Sequence, residues 1–345
     1  MDDSLYATSF SLYSLSLPTP PRLRSLLSAD DATLKSHSKH FYDSLISSSQ
    51  RPVYELEEEK ARLGSLRSCN ITQLPLQHGV VLAIAYDRVV YKSIFYSCHT
   101  SPQISIPLLL VKATSSITRR LFLYFTEFFH LSSDPEPLKL PASIMLSVVQ
   151  NYIVSLRTGL DAVEENESIL SLLRDIIGIL KITITVNGGS AEGAAIVKNL
   201  RTIDVGINSE TLYQLLEQSI PNRPGPKSKR RGQAPRITFL NSLQHHIRDR
   251  TGIILPIVPD DTEDAQASNT DDALHADRAP LRVTRVQSTA FAIGMEGRLK
   301  FSSRPVDMMD AVPGLTSGDE NVVRAANRDL LATIVNEAMG IGGAG

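Results

Sequence analysis

The chain has 345 residues, of which 42% are hydrophobic and 21% charged, and its formal net charge is −2. This length and apolar content suffice for a buried core. The near-neutral net charge excludes two classes for the chain taken as a whole, a strongly basic nucleic-acid binder and a disordered acidic chain. Cys69 and Cys98 lie far apart and outside any paired spacing, so neither a disulfide framework nor a zinc site is expected.

No targeting or membrane segment is expected. The N-terminus opens with two aspartates and lacks a basic region followed by an apolar run, so a secretory signal is not predicted. The most apolar segments are short or broken by charge, so none is predicted to span a membrane.

Residues 1–112 predict a strand, a helix and a sheet region. TSFSLYSLSL at 8–17 alternates apolar residues with serine and is stopped by prolines, which predicts an edge-type strand. A helix is expected at about 30–47. GVVLAIAYDRVVYKSIFYSC at 79–98 predicts a hairpin that turns at Asp87-Arg88, and an apolar run at 103–111 follows it.

Residues 113–178 predict a helical middle. SSITRRLFLYFTEFFHL has apolar residues at helical spacing, with Ser115 or Ser116 as a candidate cap. A second helix is expected from Pro141 to about Leu156, and NESILSLLRDIIGIL predicts a third.

Residues 179–339 predict a C-terminal α+β region. KITITV and RTIDVGI are typical of strands, and SETLYQLLEQS predicts a helix with a serine N-cap. A helix at about 237–250, strands in LRVTRVQSTAFAIG and GRLKFSS, and a helix at about 320–338 follow. Strands in runs, separated by consecutive helices, favour an α+β fold with a largely antiparallel sheet, and residues 340–345 are expected to be a disordered tail.

Two charged segments, expected to be mobile loops at 221–236 and 259–280, break up this C-terminal region. Residues 222–236 hold six Lys or Arg and no acid, whereas residues 259–277 hold seven acids and no Lys or Arg. The basic segment can be a solubilising loop, a nuclear import signal or a nucleic-acid contact, and for the last of these the candidate residues are Lys227, Lys229, Arg230 and Arg231.

No motif predicts catalysis. NGGSAEGAA lacks the Gly-Lys-Ser/Thr ending of a phosphate-binding loop, and no serine or cysteine has the context of a nucleophile. His37 and His40, like the adjacent pair His245 and His246, lack the spacing of a helical metal site. We therefore expect a protein that is not an enzyme and that needs no cofactor or metal.

The segment FAIGMEGRLKF at 291–301 predicts a hairpin with two different faces. A three-residue turn at 295–297 allows Gly297 the left-handed conformation and pairs Phe291 near Phe301. The apolar face then holds Phe291, Ile293, Leu299 and Phe301, and it is core or interface. The other face holds Ala290 and Ala292 with two basic residues, Arg298 and Lys300.

The lead-in and hairpin, LRVTRVQSTAFAIGMEGRLKF, resemble the C-terminal part of the centromere protein L (CENP-L) family, which includes fungal members. FSLYSLSLP near the N-terminus resembles the opening strand of that family, and the order of elements between the two ends is similar. The basic and acidic segments at 222–236 and 259–277 match no motif of the family.

The resemblance implies a non-enzymatic inner-kinetochore subunit in the nucleus with an extended, curved sheet. It implies pairing with centromere protein N, through the C-terminal strands, and contact with centromeric nucleosomal DNA. The candidate partner residues are Phe291, Ile293, Leu299 and Phe301, and the candidate DNA-binding residues on the sheet are Arg282, Arg285, Arg298 and Lys300. A stand-alone nucleic-acid binder that uses the basic segment is the alternative, and a homodimer is an alternative when the partner is absent.

Overall fold

The computed structural model describes residues 3–48, 61–74, 79–97, 106–163, 169–186, 202–219, 238–255, 281–302 and 317–339. The described residues form an α+β fold with antiparallel strand pairs, which confirms the predicted class. They divide into unit 1, residues 1–139, 296–300 and 331–345, and unit 2, residues 140–295 and 301–330. The division at 1–112, 113–178 and 179–339 stays a prediction, and the segments 221–236, 259–280 and 340–345 lie outside the described residues.

Unit 1 contains a sheet with helices packed on it. Its strands are β1 (Thr8–Ser14), β2 (Leu66–Gln73), β3 (Gly79–Tyr86), β4 (Val90–Tyr96), β5 (Leu108–Lys112), the short β6 (Glu136–Pro137) and most of β11 (Arg298–Phe301). They are ordered β2-β3-β4-β5-β1-β11, with β6 also beside β1. The helices are α1 (Pro21–Ser25), α2 (Asp31–Ser48) and α3 (Ser115–Phe129), with short 3₁₀ turns at Asp3–Leu5 and Leu26–Ser28.

The core of unit 1 joins α2 and α3 to one face of this sheet. Phe41 of α2, Phe95 of β4 and Phe125 of α3 are fully buried in one apolar cluster. The rings of Phe95 and Phe125 meet edge to face at 4.8 Å. The helical spacing that predicted α3 is therefore explained by aromatic packing against the sheet.

The prediction that β1 is an edge strand was wrong. It pairs with β5 on one side, and on the other the Leu12 N–H donates to the Gly297 carbonyl at 2.7 Å. The prolines that follow lie beyond the end of the strand at Ser14, so they fix where it stops and not which neighbours it has.

Strand β2 had no counterpart among the predicted elements. In its sequence, LRSCNITQ, only Cys69 and Ile71 are buried, because β2 is the last strand in the described order and one of its faces is polar. So few apolar residues give too weak an alternation to predict a strand.

Unit 2 contains a second set of strands, and in the described residues four helices lie wholly within it. The strands are β7 (Leu180–Val186), β8 (Thr202–Ile207), β9 (Leu281–Gln287) and β10 (Phe291–Gly294), in the order β10-β9-β7-β8. The helices are α4 (Ala142–Val163), α5 (Ile169–Ile177), α6 (Ser209–Gln218) and α7 (Phe239–Thr251). A last helix, α8 (Ser317–Ala338), has its residues up to 330 in unit 2 and the rest in unit 1.

Local polar groups correct two predictions in unit 2. LRVTRVQSTAFAIG, predicted as one strand, is divided into β9 and β10, because the Ser288 hydroxyl accepts the N–H groups of Ala290 and Phe291 at 3.2 Å and fixes a turn. The N-cap of α6 is Asn208 rather than the predicted serine, since its Oδ1 accepts the Thr211 N–H at 2.8 Å.

Candidate nucleic-acid interface

The predicted DNA-binding residues of the sheet are exposed in each unit. Arg282 and Arg285 lie on β9 in unit 2, and Arg298 and Lys300 lie on β11 in unit 1. The candidates in the basic segment, Lys227, Lys229, Arg230 and Arg231, lie outside the described residues. DNA contact through any of them stays a prediction.

A β-bulge brings the two β9 arginines to the same face. Thr183 of β7 pairs with Arg285, but the next β7 residue, Ile184, pairs with Val283, so Thr284 is the extra residue. Simple alternation would put residues three apart on opposite faces, and the bulge reverses this. Val283 and Val286 are consequently buried, while both arginines are exposed.

The bulge is held by hydrogen bonds of the extra residue itself. The Thr284 hydroxyl donates to the Thr183 carbonyl at 3.2 Å, and the Thr185 hydroxyl donates to the Thr284 hydroxyl at the same distance. The Met295 N–H donates to the Thr284 carbonyl at 2.9 Å. Since the extra residue keeps its polar groups bonded, the position of the neighbouring arginines is fixed by the backbone.

An ion pair that was not among the predicted site residues lies beside Arg285. Asp204 of β8 is opposite Thr183, and its carboxylate accepts from Lys181 Nζ at 2.8 Å and from the Thr183 hydroxyl at 2.7 Å. The Lys181 and Thr183 hydrogen bonds, with a further contribution from the charge of Arg285, lower the pKa of Asp204. The outer face of this sheet thus carries three cations, Lys181, Arg282 and Arg285, and one carboxylate.

The predicted three-residue turn of the hairpin is confirmed. Residues 295–297 form the turn, with Gly297 at φ +67°. The Ser302 N–H donates to the Ala290 carbonyl at 2.9 Å, which is the predicted register. A Cβ at Gly297 would lie 2.1 Å from the Leu138 carbonyl oxygen, so this position requires glycine for space as well as for conformation.

The apolar face of the hairpin belongs to the protein's own core. Phe291, Ile293, Leu299 and Phe301 are each 1% exposed, so none of them offers surface to a partner. The Tyr152 ring packs edge to face on Phe291 at 4.9 Å. The partner contact predicted for these residues therefore lacks an accessible surface, because burial within the chain already accounts for their alternation.

The two alanines on the other face of the hairpin are buried. Ala290 and Ala292 are 4% and 7% exposed, so these small residues are covered and are not open space beside the basic side chains. In unit 1, partial burial raises the pKa of Tyr13, and the nearby positive charge of Arg298 opposes that rise.

The described residues contain no group of three or more His, Cys, Asp or Glu that could hold a metal ion. Cys69 is buried, and burial raises the pKa of its thiol to about 12, so it stays protonated at neutral pH. Cys98 lies outside the described residues. None of the helices in the described ranges is long and apolar enough to cross a membrane.

Comparison with known families gives one match that covers nearly the whole chain. Residues 4–339 match the sequence model of the family described as Centromere protein L. The matched range includes β1 near its start, the arginines of β9, the hairpin and α8. No curated protein matches the chain.

Proposed function

The chain belongs to the centromere protein L family, and we propose that it is a non-enzymatic nuclear subunit of the inner kinetochore. Membership of the family implies a role connected with the centromere and kinetochore. In the proposed role, the protein pairs with a centromere protein N homologue, and together they engage centromeric nucleosomal DNA.

The exposed basic face of the unit 2 sheet is the observation that supports DNA contact. Lys181, Arg282 and Arg285 can each meet a phosphate oxygen, and phosphate contacts of this kind position a protein on DNA without reading its bases. Asp204 holds Lys181 in place and keeps the face from being uniformly positive. Such a surface binds the backbone of a duplex irrespective of its sequence, which suits nucleosomal DNA.

The free side of β8 is the better candidate for the partner interface than the buried hairpin. In the β9–β10 pair the Ser288 N–H bonds to the Phe291 carbonyl at 2.7 Å. Hydrogen-bonding direction alternates along an antiparallel strand, so Ser288 bonds towards β10 and Arg285 bonds towards β7. Thr183 of β7 pairs with Arg285 and therefore bonds towards β9. Its other neighbour, Asp204 of β8, consequently points its backbone N–H and C=O away from β7, and so does Gly206 two residues on. In the part of the chain that the structure describes, β8 ends the strand order, so a partner strand can extend the sheet there.

Co-purification tests the pairing. The full-length chain is expressed with a tagged centromere protein N homologue, and the complex is measured by size-exclusion chromatography with light scattering. Gly206→Pro removes an outward N–H at an edge position that tolerates proline, and it should weaken the complex. Gly206→Ala is the matched control, because it keeps the N–H and the added Cβ meets no atom within 4 Å.

A complex that forms equally well with all three chains would refute pairing at β8, and absence of any complex would refute the partner. The same experiment with the chain alone measures whether it forms a homodimer.

The alternative function is stand-alone nucleic-acid binding by the basic segment at 222–236, supported by its six cations and lack of acids. Replacing Lys227, Lys229, Arg230 and Arg231 with Ala should then flatten the salt dependence of DNA binding by the isolated chain. An unchanged salt dependence would exclude this segment as the binding element.

A further inference from the structure

The unit 1 sheet has a second face, opposite to α2 and α3, and one end of this face is open. Lys92 of β4 pairs with Ala83 of β3 on one side and with Lys112 of β5 on the other. Side chains alternate along a strand, so these three lie on the face opposite to the buried Phe95, which packs on α3. All three are partly exposed. The two lysines are thus cross-strand neighbours on an accessible face.

The two lysines face each other in a hydrogen-bonded pair of residues. The Tyr86 N–H donates to the Val89 carbonyl at 2.9 Å, at the turn end of the β3–β4 ladder. Bonding direction alternates along β4, so Tyr91 bonds towards β3, and Lys92 bonds towards its β5 partner Lys112. The Cα atoms of such a pair are about 5.5 Å apart. Like charges directly opposite each other destabilise a sheet, and an anion placed between them reverses this effect.

No described carboxylate neutralises this lysine pair. Neither Lys92 nor Lys112 forms an ion pair with another residue that the structure describes. Asp87, the acid of the β3–β4 turn, is already engaged by the Arg67 side chain and by the Ser65 N–H at 2.6 Å. The two positive charges are therefore available to an anionic ligand.

An apolar strip lies beside the two lysines on the same face. Val90 of β4 is 43% exposed, and its β3 neighbour Ala85 is partly exposed. Ala83 continues the strip along β3, and Ser68 and Asn70 of β2 border it on the far side. Because alanine and serine side chains are short, a ligand can approach the sheet closely here.

We propose that this face binds an acidic α-helix of a partner protein, with two of its carboxylates on Lys92 and Lys112 and its apolar side chains on Val90 and the two alanines. Strands β3 and β4 each lie between two paired neighbours, so they have no free backbone edge for a ligand. A helix needs none, because its backbone groups bond within it. Carboxylates four residues apart on a helix are separated by about 6 Å along its axis, which matches the about 5.5 Å between the lysine Cα atoms. The site involves neither β8 nor β9.

A helix fits this face better than a nucleic-acid duplex does. The paired lysines match two carboxylates, and Val90 with its neighbouring alanines offers apolar surface that a ligand's own apolar side chains can cover. A duplex presents a charged phosphate backbone and gains nothing from the apolar strip. Paired charge and apolar surface together therefore define an amphipathic, acidic helix as the ligand.

The test uses the full-length chain and a fluorescein-labelled peptide rich in Ala and Gln, with two Glu four residues apart and Leu on the same helical face. At about 20 residues such a peptide forms a helix by itself, and fluorescence anisotropy follows its binding. The double variant Lys92→Glu with Lys112→Glu should weaken binding by at least about 10-fold, since two attractive pairs become repulsive. The matched control, Lys35→Glu with Lys39→Glu, changes the net charge equally at exposed positions of α2, on the other side of the sheet, and should change affinity by less than about 2-fold.

Two further measurements distinguish lost contact from lost folding. A peptide with Lys in place of both Glu should bind the double variant more tightly than it binds the unmodified chain, which a misfolded variant cannot do. The single variant Lys112→Gln should weaken binding of the Glu peptide and also raise the urea midpoint of the free chain, because it removes the repulsion from Lys92. A lower midpoint would contradict that repulsion and count against the proposal.

The remaining outcomes concern the ligand itself. Equal loss in the α2 control, equal binding of a peptide with Gln in place of Glu, or no preference of the double variant for the Lys peptide would overturn the proposal. Failure of the unmodified chain to bind the Glu peptide would overturn it as well. If the double variant lost affinity for a short DNA duplex and kept its affinity for the Glu peptide, the face would be a nucleic-acid surface and not a helix site.

Discussion

Replacing Arg282 and Arg285 with Ala should weaken nucleosomal DNA binding in a way that depends on salt. Both side chains are exposed on one face of β9, and the backbone beneath them is fixed by the hydrogen bonds of Thr284. Removing them leaves the buried valines of the strand untouched, so the loss should concern binding and not folding.

The magnitude follows from counterion release. Each phosphate contact contributes about −0.9 to the slope of log K against log salt, so losing two contacts should make the slope shallower by about 1.8. Between 50 and 200 mM salt, a fourfold range, this difference amounts to about 12-fold in affinity. The deficit of the variant relative to the unmodified protein should therefore shrink about 12-fold as salt rises across that range.

Fluorescence anisotropy with a labelled nucleosomal duplex, at several salt concentrations in this range, measures both slopes. The matched control replaces Arg248 and Arg250 with Ala, which removes the same charge from the exposed end of α7 in the same unit. Parallel slopes for the β9 variant and the unmodified protein would refute phosphate contact by these arginines. An equal change of slope in the control would show that only net charge matters.

Three more predictions concern stability. Phe291→Ala should lower the free energy of unfolding by about 3–5 kcal/mol, because the Phe291 ring is 1% exposed. Val154→Ala should lower it by less than about 0.5 kcal/mol, because the Val154 side chain is 49% exposed. Urea titrations of both variants measure the two losses. Gly297→Ala should destabilise the protein more than Gly252→Ala in the same assay. Both glycines have a positive φ, but only at Gly297 would the added Cβ meet a backbone carbonyl oxygen, at 2.1 Å. Equal losses of stability in the two variants would contradict this steric explanation. Burial, with a smaller effect of a neighbouring histidine, lowers the pKa of His37, so stability should be complete above the ordinary pKa of 6.5 and fall as pH drops below it. His37→Phe should reduce the difference between the unfolding free energies at pH 7.5 and 5.5, and an unreduced difference would refute the assignment.

Much of the fold could be predicted where burial produces a clear period. The helical spacing of Ile117, Leu121 and Phe125 predicted α3 because these side chains pack in one cluster, and the alternating runs of β3 and β4 predicted a hairpin. Strand β2 could not be predicted, because this last strand of the described order has one polar face and buries too few residues to leave a period. The neighbours of β1 could not be predicted either, since pairing depends on residues such as Gly297 that are distant in the sequence.

The hairpin shows a different limit of sequence reasoning. Alternation correctly divided Phe291 and Leu299 from Arg298 and Lys300, and the position of Gly297 correctly indicated a three-residue turn. The same alternation could not decide between core and interface, because an apolar face is required for either. Only the burial of all four apolar side chains distinguishes a core face from an interface. For this reason the partner contact that we propose lies on the outward side of β8.

The arginines of β9 illustrate how packing energy can set the position of surface charge. A regular strand through LRVTRV would place Val283 on the face opposite to Val286 and expose one of them. Burying a valine contributes about 1.5–3 kcal/mol, whereas a neutral hydrogen bond contributes about 0.5–1.5 kcal/mol, so a bulge that disrupts one ladder position and buries both valines is favoured. The bulge disrupts one ladder hydrogen bond, but Thr284 forms other hydrogen bonds, so the loss of stability at this position is smaller. The apolar side chains thus determine the bulge, and the bulge in turn places Arg282 and Arg285 together on the outer face, where their charges can act on one ligand.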